Sequence, residues 1–153
     1  MQTIWWPMKQ RGGYVTARSP SILCVDDESM PLLLRKLVLE KQGFKVVTAS
    51  SIADALEMLK DLKVDLVLTD QLMPGGTGTE LAEKIKQQWP TLPVVLISGV
   101  NEIPPGARFA DVFISKTEGP VAMCERITAV LAAQVPSIDD EEGNGLDESA
   151  FAT

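Results

Sequence analysis

The sequence has no histidine, few cysteines and no long hydrophobic run. None of its 153 residues is His, and its two cysteines, Cys24 and Cys124, lie in apolar segments where a thiol usually behaves as a small buried hydrophobe. This composition argues against a zinc or copper site and against a disulfide framework. No stretch approaches the roughly 18 to 20 apolar residues that cross a bilayer. We therefore expect a cytoplasmic protein with reduced thiols and no membrane insertion.

Positive charge is also scarce. The chain carries 14 Lys and Arg against 21 Asp and Glu, a formal net charge of −7. Sequence-independent binding to nucleic acid depends on Lys and Arg that neutralise phosphates, and no basic patch is visible. We therefore expect no direct contact with nucleic acid.

The length and pattern of the chain predict one domain with two flanking segments. Residues 1–20 are expected to be a flexible N-terminal extension. They are not interpreted as a signal peptide, because they lack its apolar core and cleavage site. Residues 21–135 contain the apolar periodic segments and form the predicted domain. Residues 136–153 are rich in Asp, Glu and Gly, with too little apolar surface to offset the entropy of ordering, and are expected to be a disordered acidic tail.

Short apolar runs alternate with segments of helical periodicity. The predicted strands cover residues 22–25, 44–48, 64–69, 93–97 and 111–115. Helices are predicted between them, with Ser29 and Ser51 as caps at the starts of the first two. This alternation is typical of a doubly wound α/β fold, in which a five-stranded parallel sheet has helices on both faces. Between the fourth and fifth strands, Pro104, Pro105 and Gly106 predict a shortened or missing fourth helix, of at most one turn.

Polar side chains stand at the carboxyl ends of four predicted strands. Asp26 and Asp27 follow the first strand, Asp70 follows the third, Ser98 the fourth and Lys116 the fifth. In open α/β sheets ligands bind outside these ends. If the strand order is 2-1-3-4-5, an order known for such sheets, the first and third strands are neighbours and the three carboxylates converge.

Three crowded carboxylates are tolerable at neutral pH with a bound cation or with raised pKa values. A hard divalent ion is the simpler answer, and oxygen ligands without His favour Mg²⁺. Mg²⁺ also suits phosphoryl transfer, with Asp70 as nucleophile and with Lys116 and Ser98 binding phosphoryl oxygens. Each residue taken alone fits a turn or a helix cap equally well, so the joint pattern carries the prediction.

Four segments of the chain resemble a known family in order and spacing. LCVDDES, LVLTDQLMPGGTG, VVLIS and ADVFISK are similar to the receiver domain of bacterial two-component response regulators, and to single-domain chemotaxis receivers in particular. The similarity covers about residues 21–133 and implies a flavodoxin-like fold. Carried over by position, it implies a phosphoacceptor, Asp70; metal ligands, Asp26, Asp27, Asp70 and the carbonyl of Leu72; a phosphate-pairing lysine, Lys116; and switch residues, Ser98 and Phe113.

The resemblance also implies a function in signal transduction. A phosphohistidine on a sensor histidine kinase or a histidine phosphotransfer protein would donate to Asp70 in the presence of Mg²⁺. A conformational shift would then alter the surface offered to an unknown protein partner. No enzymatic activity is expected beyond the gain and loss of the domain's own phosphoryl group.

Three departures from the family pattern leave alternatives open. Thr117 stands where the family usually has proline, the segment after Ser98 is short, and Phe113 has no hydroxyl. A receiver-like interaction module that is never phosphorylated is therefore one alternative. An aspartate-nucleophile phosphatase is a weaker one, because Leu72 occupies the position where such enzymes carry a second acidic residue. A nucleotide site is not supported, since the glycines that follow Asp70 fit no Walker pattern.

Overall fold

A computed structural model describes residues 19–99 and 106–134. The expected acidic tail and all but two residues of the expected N-terminal extension lie outside these ranges. In the described part, strands and helices alternate along the chain. The strands are β1 Ser21–Val25, β2 Lys45–Ala49, β3 Leu66–Asp70, β4 Leu72–Met73, β5 Gly76–Thr77, β6 Val94–Ser98 and β7 Val112–Ser115, and the α-helices are α1 Ser29–Lys41, α2 Ile52–Asp61, α3 Gly78–Gln88 and α4 Gly119–Ala133.

Five strands form a parallel sheet in the order β2-β1-β3-β6-β7. The short strands β4 and β5 form a separate antiparallel hairpin. When this hairpin is set aside, the order is the expected 2-1-3-4-5, so the prediction of a flavodoxin-like sheet is confirmed. Strands β3 and β6 are buried along their whole length, which explains why they read as continuous apolar runs.

The sheet carries a hydrophobic core on each face. Alternate residues of β1 divide between the faces, with Ile22 and Cys24 in one core and Leu23 and Val25 in the other. Helices α1 and α4 cover the first face, and α2 and α3 cover the second. The predicted placement of helices on both faces is therefore confirmed, and the expectation that Cys24 is a buried core residue is correct.

Helix α1 exposes several of its leucines. Leu33, Leu34 and Leu37 are 45%, 55% and 52% exposed. The residues that pack on the core are instead Leu32, Val38 and Leu39. Helical periodicity predicted the helix correctly, but leucines around most of its circumference gave no indication of which face would meet the sheet.

The starts of the helices follow local hydrogen bonds. Ser51 caps α2 as predicted, with its side chain accepting from the backbone N–H of Asp54 at 3.0 Å. Ser29 is not a cap, because α1 already includes it and Glu28 is the N-cap residue. The physical reason lies one turn earlier, where the Asp26 carboxylate accepts from the backbone N–H of Glu28 at 3.0 Å and holds the entry to the helix.

The connection between β6 and β7 contains one short helical turn in its described residues. This 3₁₀ turn spans Ala107–Phe109 and begins after Gly106, whose φ is +86°. It agrees with the expectation of at most one turn, although residues 100–105 lie outside the described part. No described helix is both long enough and apolar enough to span a membrane.

Candidate functional site

The carboxyl ends of β1, β3, β6 and β7 lie along one edge of the sheet. Parallel pairing sets Asp70 opposite Ile97, and Ser98 opposite Ser115. Asp26 follows β1 directly, and β1 lies next to β3. The polar residues that follow these strands are therefore brought to the same edge, as expected for a parallel sheet.

Asp26 is buried and fully engaged at this edge. It is 1% exposed, and its carboxylate oxygens have different partners. Oδ1 accepts from the backbone N–H of Glu28, and Oδ2 accepts from Nη1 of Arg35 at 2.7 Å. A charged hydrogen bond of this length is among the stronger polar interactions in proteins.

Asp70 is also buried, and two cations face it. It is 4% exposed, with Nζ of Lys116 2.8 Å from its Oδ1 and Nη2 of Arg35 3.9 Å from the same atom. No described residue makes a hydrogen bond of good geometry to this oxygen. Because a buried carboxylate needs opposite charge nearby, the two cations account for its stability in the pocket.

The loop after Asp70 is held tightly against the sheet. The backbone N–H of Gln71 donates to the carbonyl of Ile97 at 3.0 Å, and the Gln71 side-chain oxygen accepts from the backbone N–H of Thr79 at 3.0 Å. A side chain on Gly78 would collide with the carbonyl oxygen of Asp70 and with the side chain of Leu96. Glycine at this position therefore allows α3 to begin directly against the residue that carries the carboxylate.

Ser98 and Lys116 complete the edge from the neighbouring strands. Ser98 is 1% exposed at the end of β6, whereas the Lys116 side chain is 39% exposed. Lys116 opens a 3₁₀ turn in which Ser115 accepts from the backbone N–H of Thr117 at 3.2 Å. The described residues contain no cis peptide bond, so Thr117 is accommodated by this hydrogen-bonded turn.

Arg35 is the residue of the site that the sequence analysis missed. It lies on α1, is 12% exposed and contacts both buried carboxylates. Leu32 and Leu39, which lie three residues before and four residues after Arg35, both pack on the core. Helical spacing therefore places Arg35 on the inward face of the helix. The sequence alone gave no signal for this position, because it does not show which leucines of α1 are buried.

The remaining sequence-predicted residues are less closely gathered. Asp27 is exposed, and no group of three or more His, Cys, Asp or Glu side chains within the described ranges is placed to hold a metal ion. Within the described ranges the three predicted carboxylates therefore do not form one group: Asp26 and Asp70 are buried beside Arg35, whereas Asp27 is exposed. Leu72 is 65% exposed at the start of the hairpin. Phe113 is half-buried in β7, where its carbonyl accepts from Arg126 at 3.1 Å.

The donor atoms at this edge fit a hard divalent cation. Two buried carboxylates supply the oxygen atoms that Mg²⁺ prefers, and Asp70 Oδ1 is buried without a hydrogen bond. Asp26 is less available as a metal ligand than Asp70, because both of its carboxylate oxygens already accept hydrogen bonds.

The fold and this edge define a class of protein, the flavodoxin-like α/β domains that carry an acidic pocket at the ends of β1 and β3. Comparison with known proteins narrows the class. The profile of the response regulator receiver domain matches residues 22–128. The chain belongs to this family of two-component signalling domains.

The relatives with known names are longer proteins. The chain is 32% identical over 123 residues to the transcriptional regulatory protein GlrR of Escherichia coli, covering 78% of this chain and 28% of GlrR. It is 32% identical over 139 residues to the phosphate regulon transcriptional regulatory protein PhoB of Klebsiella pneumoniae, covering 84% of this chain and 61% of PhoB. The chain thus spans less than two thirds of these curated relatives.

Solved structures agree with the family. A CheY-like receiver domain from Methanospirillum hungatei has a TM-score of 0.70 and 29% identity, over 76% of this chain and 96% of that one. The response regulator TrrA of Thermotoga maritima, solved in complex with Mg²⁺ and BeF, has a TM-score of 0.69 and 27% identity, over 72% and 97% of the two chains. TrrA has also been solved in complex with the histidine kinase ThkA, with a TM-score of 0.69, 27% identity and 73% and 98% coverage.

Proposed function

We propose that this domain accepts a phosphoryl group from a partner phosphohistidine onto Asp70, in a reaction that depends on Mg²⁺. The observation that carries the proposal is the Asp70 carboxylate, buried at the end of β3 with Lys116 Nζ 2.8 Å from its Oδ1. A carboxylate oxygen attacks phosphorus, the bond from phosphorus to the histidine nitrogen breaks, and an acyl phosphate forms. Receiver domains of this family are in general phosphorylated by histidine kinases and act as signalling modules.

The metal ligands follow from the residues at the edge and from the family. Asp26, Asp27, Asp70 and the carbonyl of Leu72 would hold Mg²⁺. When bound, the ion would neutralise negative charge on the oxygens of the phosphoryl group during its transfer. The complex of the similar regulator TrrA with Mg²⁺ and BeF supports this assignment.

Lys116 and Ser98 have separate roles in this proposal. The Lys116 ammonium, already beside Asp70, pairs with a phosphoryl oxygen once the group has been transferred. The buried Ser98 hydroxyl binds a second oxygen, and this contact favours one conformation of the β6 end over another. Phe113, paired with Leu96 across β6 and β7, transmits the shift through packing.

The phosphohistidine that donates the phosphoryl group lies outside these 153 residues, because they contain no histidine. A sensor histidine kinase or a histidine phosphotransfer protein is the proposed partner, supported by the solved complex of TrrA with ThkA. We place the receiver at residues 21–135 and the protein in the cytoplasm. Output passes to an unknown protein partner and not directly to nucleic acid, consistent with the net charge of −7.

The test is phosphorylation by a small donor. The protein is incubated with phosphoramidate and Mg²⁺, and its intact mass is measured. We expect one phosphoryl adduct that is lost in Asp70→Asn and retained in the control Asp61→Asn, which makes the same change at an exposed position on α2. An adduct that persists in Asp70→Asn would place the acceptor elsewhere.

A second candidate function rests on Arg35. Its guanidinium neutralises Asp26, a proposed metal ligand, and a domain that keeps this contact and binds no metal would be a receiver-like interaction module that is never phosphorylated. Failure of the protein to bind beryllium fluoride in the presence of Mg²⁺ would favour this candidate. The phosphatase alternative gains no support, because Leu72 offers no acidic side chain two residues after Asp70.

A further inference from the structure

The guanidinium of Arg35 reaches into the pocket from the first helix. Its Nη1 lies 2.7 Å from Asp26 Oδ2 and its Nη2 lies 3.9 Å from Asp70 Oδ1. The side chain is 12% exposed, so its charge is largely removed from water. A planar guanidinium with several donors can engage two carboxylates at once, which a lysine ammonium does less well.

The charges of the pocket balance without any added ion. Asp26 and Asp70 contribute two negative charges, and Arg35 and Lys116 contribute two positive charges within ion-pair distance of them. Buried charges are tolerated when they are paired in this way. A divalent cation entering the same pocket therefore meets carboxylates whose charge is already compensated.

Asp26 is the carboxylate whose availability decides how tightly a metal ion can bind in the pocket. Its Oδ1 is engaged by the backbone N–H of Glu28, which holds the start of α1. Its Oδ2 is engaged by Arg35. A divalent ion bound to Oδ2 repels the guanidinium cation that lies 2.7 Å from the same oxygen, so metal binding opposes the contact with Arg35. The hydrogen bond from the neutral backbone N–H of Glu28 meets no such repulsion.

We propose that Arg35 is an internal cation that competes with the divalent metal for Asp26 and so lowers the metal affinity of the resting domain. This inference rests on the proposed metal-dependent function. It accounts for the position of one guanidinium beside both buried carboxylates. The ion pair between Asp26 and Arg35 then breaks when the metal binds, so the two events are coupled.

The experiment measures metal binding alone, without phosphorylation. The full chain is titrated with Mn²⁺, free Mn²⁺ is followed by electron paramagnetic resonance, and Mg²⁺ is measured by competition. We expect Arg35→Gln to bind Mn²⁺ about tenfold or more tightly than the native protein, since the charged hydrogen bond no longer has to be broken. The matched control is Lys36→Gln, which removes the same charge from the next residue of α1, where Lys36 pairs with Glu40 on the surface. Its effect should stay within about twofold, because exposed charges are screened.

The direction of the change separates competition from a structural role. If Arg35 merely supported the pocket, its loss would loosen the carboxylates and weaken metal binding. Equal or weaker affinity in an Arg35→Gln protein that keeps the circular dichroism spectrum of the native protein would overturn the inference. Absence of binding by both proteins would overturn it as well.

A second measurement uses the native protein and does not depend on a variant that folds. The Nε–H resonance of Arg35 is followed by nuclear magnetic resonance while Mg²⁺ is added. We expect it to shift in step with metal binding, and a resonance that stays in place at saturation would contradict the proposal. If the native protein gains a phosphoryl group at Asp70 and these two results are negative, the proposed function stands and the role of Arg35 falls.

Discussion

Two buried carboxylates and two cations account for the polar character of the pocket at the scale of single residues. Asp70 and Lys116 come from the ends of two strands, whereas Arg35 comes from a helix. Removal of one partner from such a group leaves a buried charge uncompensated, which costs far more than the loss of a surface ion pair. The site is therefore stable because its charges are mutually paired.

Cys24 illustrates how burial lowers the reactivity of a thiol. Its pKa is raised from 9.0 to about 12, chiefly by burial, with a smaller lowering by Arg35 and a smaller raising by Asp26. The thiolate is the reactive form, so Cys24 should resist iodoacetamide at pH 8 in the native protein and react rapidly in urea. Because the fold favours the neutral thiol, its contribution to stability is present below pH 9.0 and is lost as the pH rises towards 12.

The other cysteine provides the internal comparison. Cys124 is half-buried, and burial raises the pKa of its thiol as well. Peptide mass spectrometry after timed alkylation should find label on Cys124 before Cys24. Labelling of Cys24 first, under native conditions, would contradict the buried position of β1.

The placement of the polar residues at the strand ends could be predicted from the sequence, whereas the contact that Arg35 makes from α1 could not. Asp70, Ser98 and Lys116 could be predicted because parallel strands bring their carboxyl ends to one edge whatever the details of packing. Arg35 depends on the rotation of α1 about its axis. That rotation is settled by which of several neighbouring leucines packs on the sheet, and the sequence offers too many of them to decide.

At the scale of elements, the loop from Asp70 to α3 is the most constrained connection. The Pro74–Gly75 turn closes the β4–β5 hairpin, and Gly78 then lies directly against the backbone of Asp70. Gly78→Ala should destabilise the domain by about 1 to 3 kcal/mol, the range of overpacking a filled site. Urea denaturation measures this, and a loss of phosphorylation at Asp70 should accompany it because the loop positions the carboxylate.

Gly75→Ala is the matched control for that change. Gly75 has a φ of +85° but no atom near the position of an added Cβ. Its cost comes from the left-handed backbone alone, about 1 kcal/mol, and Asp70 should remain in place. Equal effects of the two substitutions on phosphorylation would show that the contact of Gly78 with Asp70 does not matter.

Element types followed from periodicity, but several local details depended on tertiary structure. The capping box of α3, in which Thr77 accepts from Glu80 N–H and Glu80 accepts from Thr77 N–H, was not among the helix caps predicted from the sequence. The 3₁₀ turn after β7 replaces the proline of the family pattern through the hydroxyls of Ser115 and Thr117, which lie 2.8 Å apart. Such turns are set by side-chain hydrogen bonds that compete with regular structure, so apolar patterns do not reveal them.

At the scale of the whole molecule, the winding of the sheet is what creates the site. Within the described residues, the chain enters the sheet at β1 near the centre, adds β2 on one side and then crosses to β3 on the other, so that the ends of β1 and β3 face a crevice. Alternating strands and helices predicted the parallel sheet, and resemblance to a known family supplied its order. Local sequence could not supply that order, because it depends on which strands pair across the whole chain.

The most direct test of the account identifies the phosphorylated atom without any substitution. The native protein is phosphorylated with phosphoramidate and Mg²⁺, reduced with borohydride, and digested, and the peptides are sequenced by mass spectrometry. Borohydride converts an aspartyl phosphate to homoserine, so the account predicts homoserine at position 70 and nowhere else. Homoserine at position 26 or 27, or unmodified aspartate throughout a protein that carries the phosphoryl mass, would contradict it.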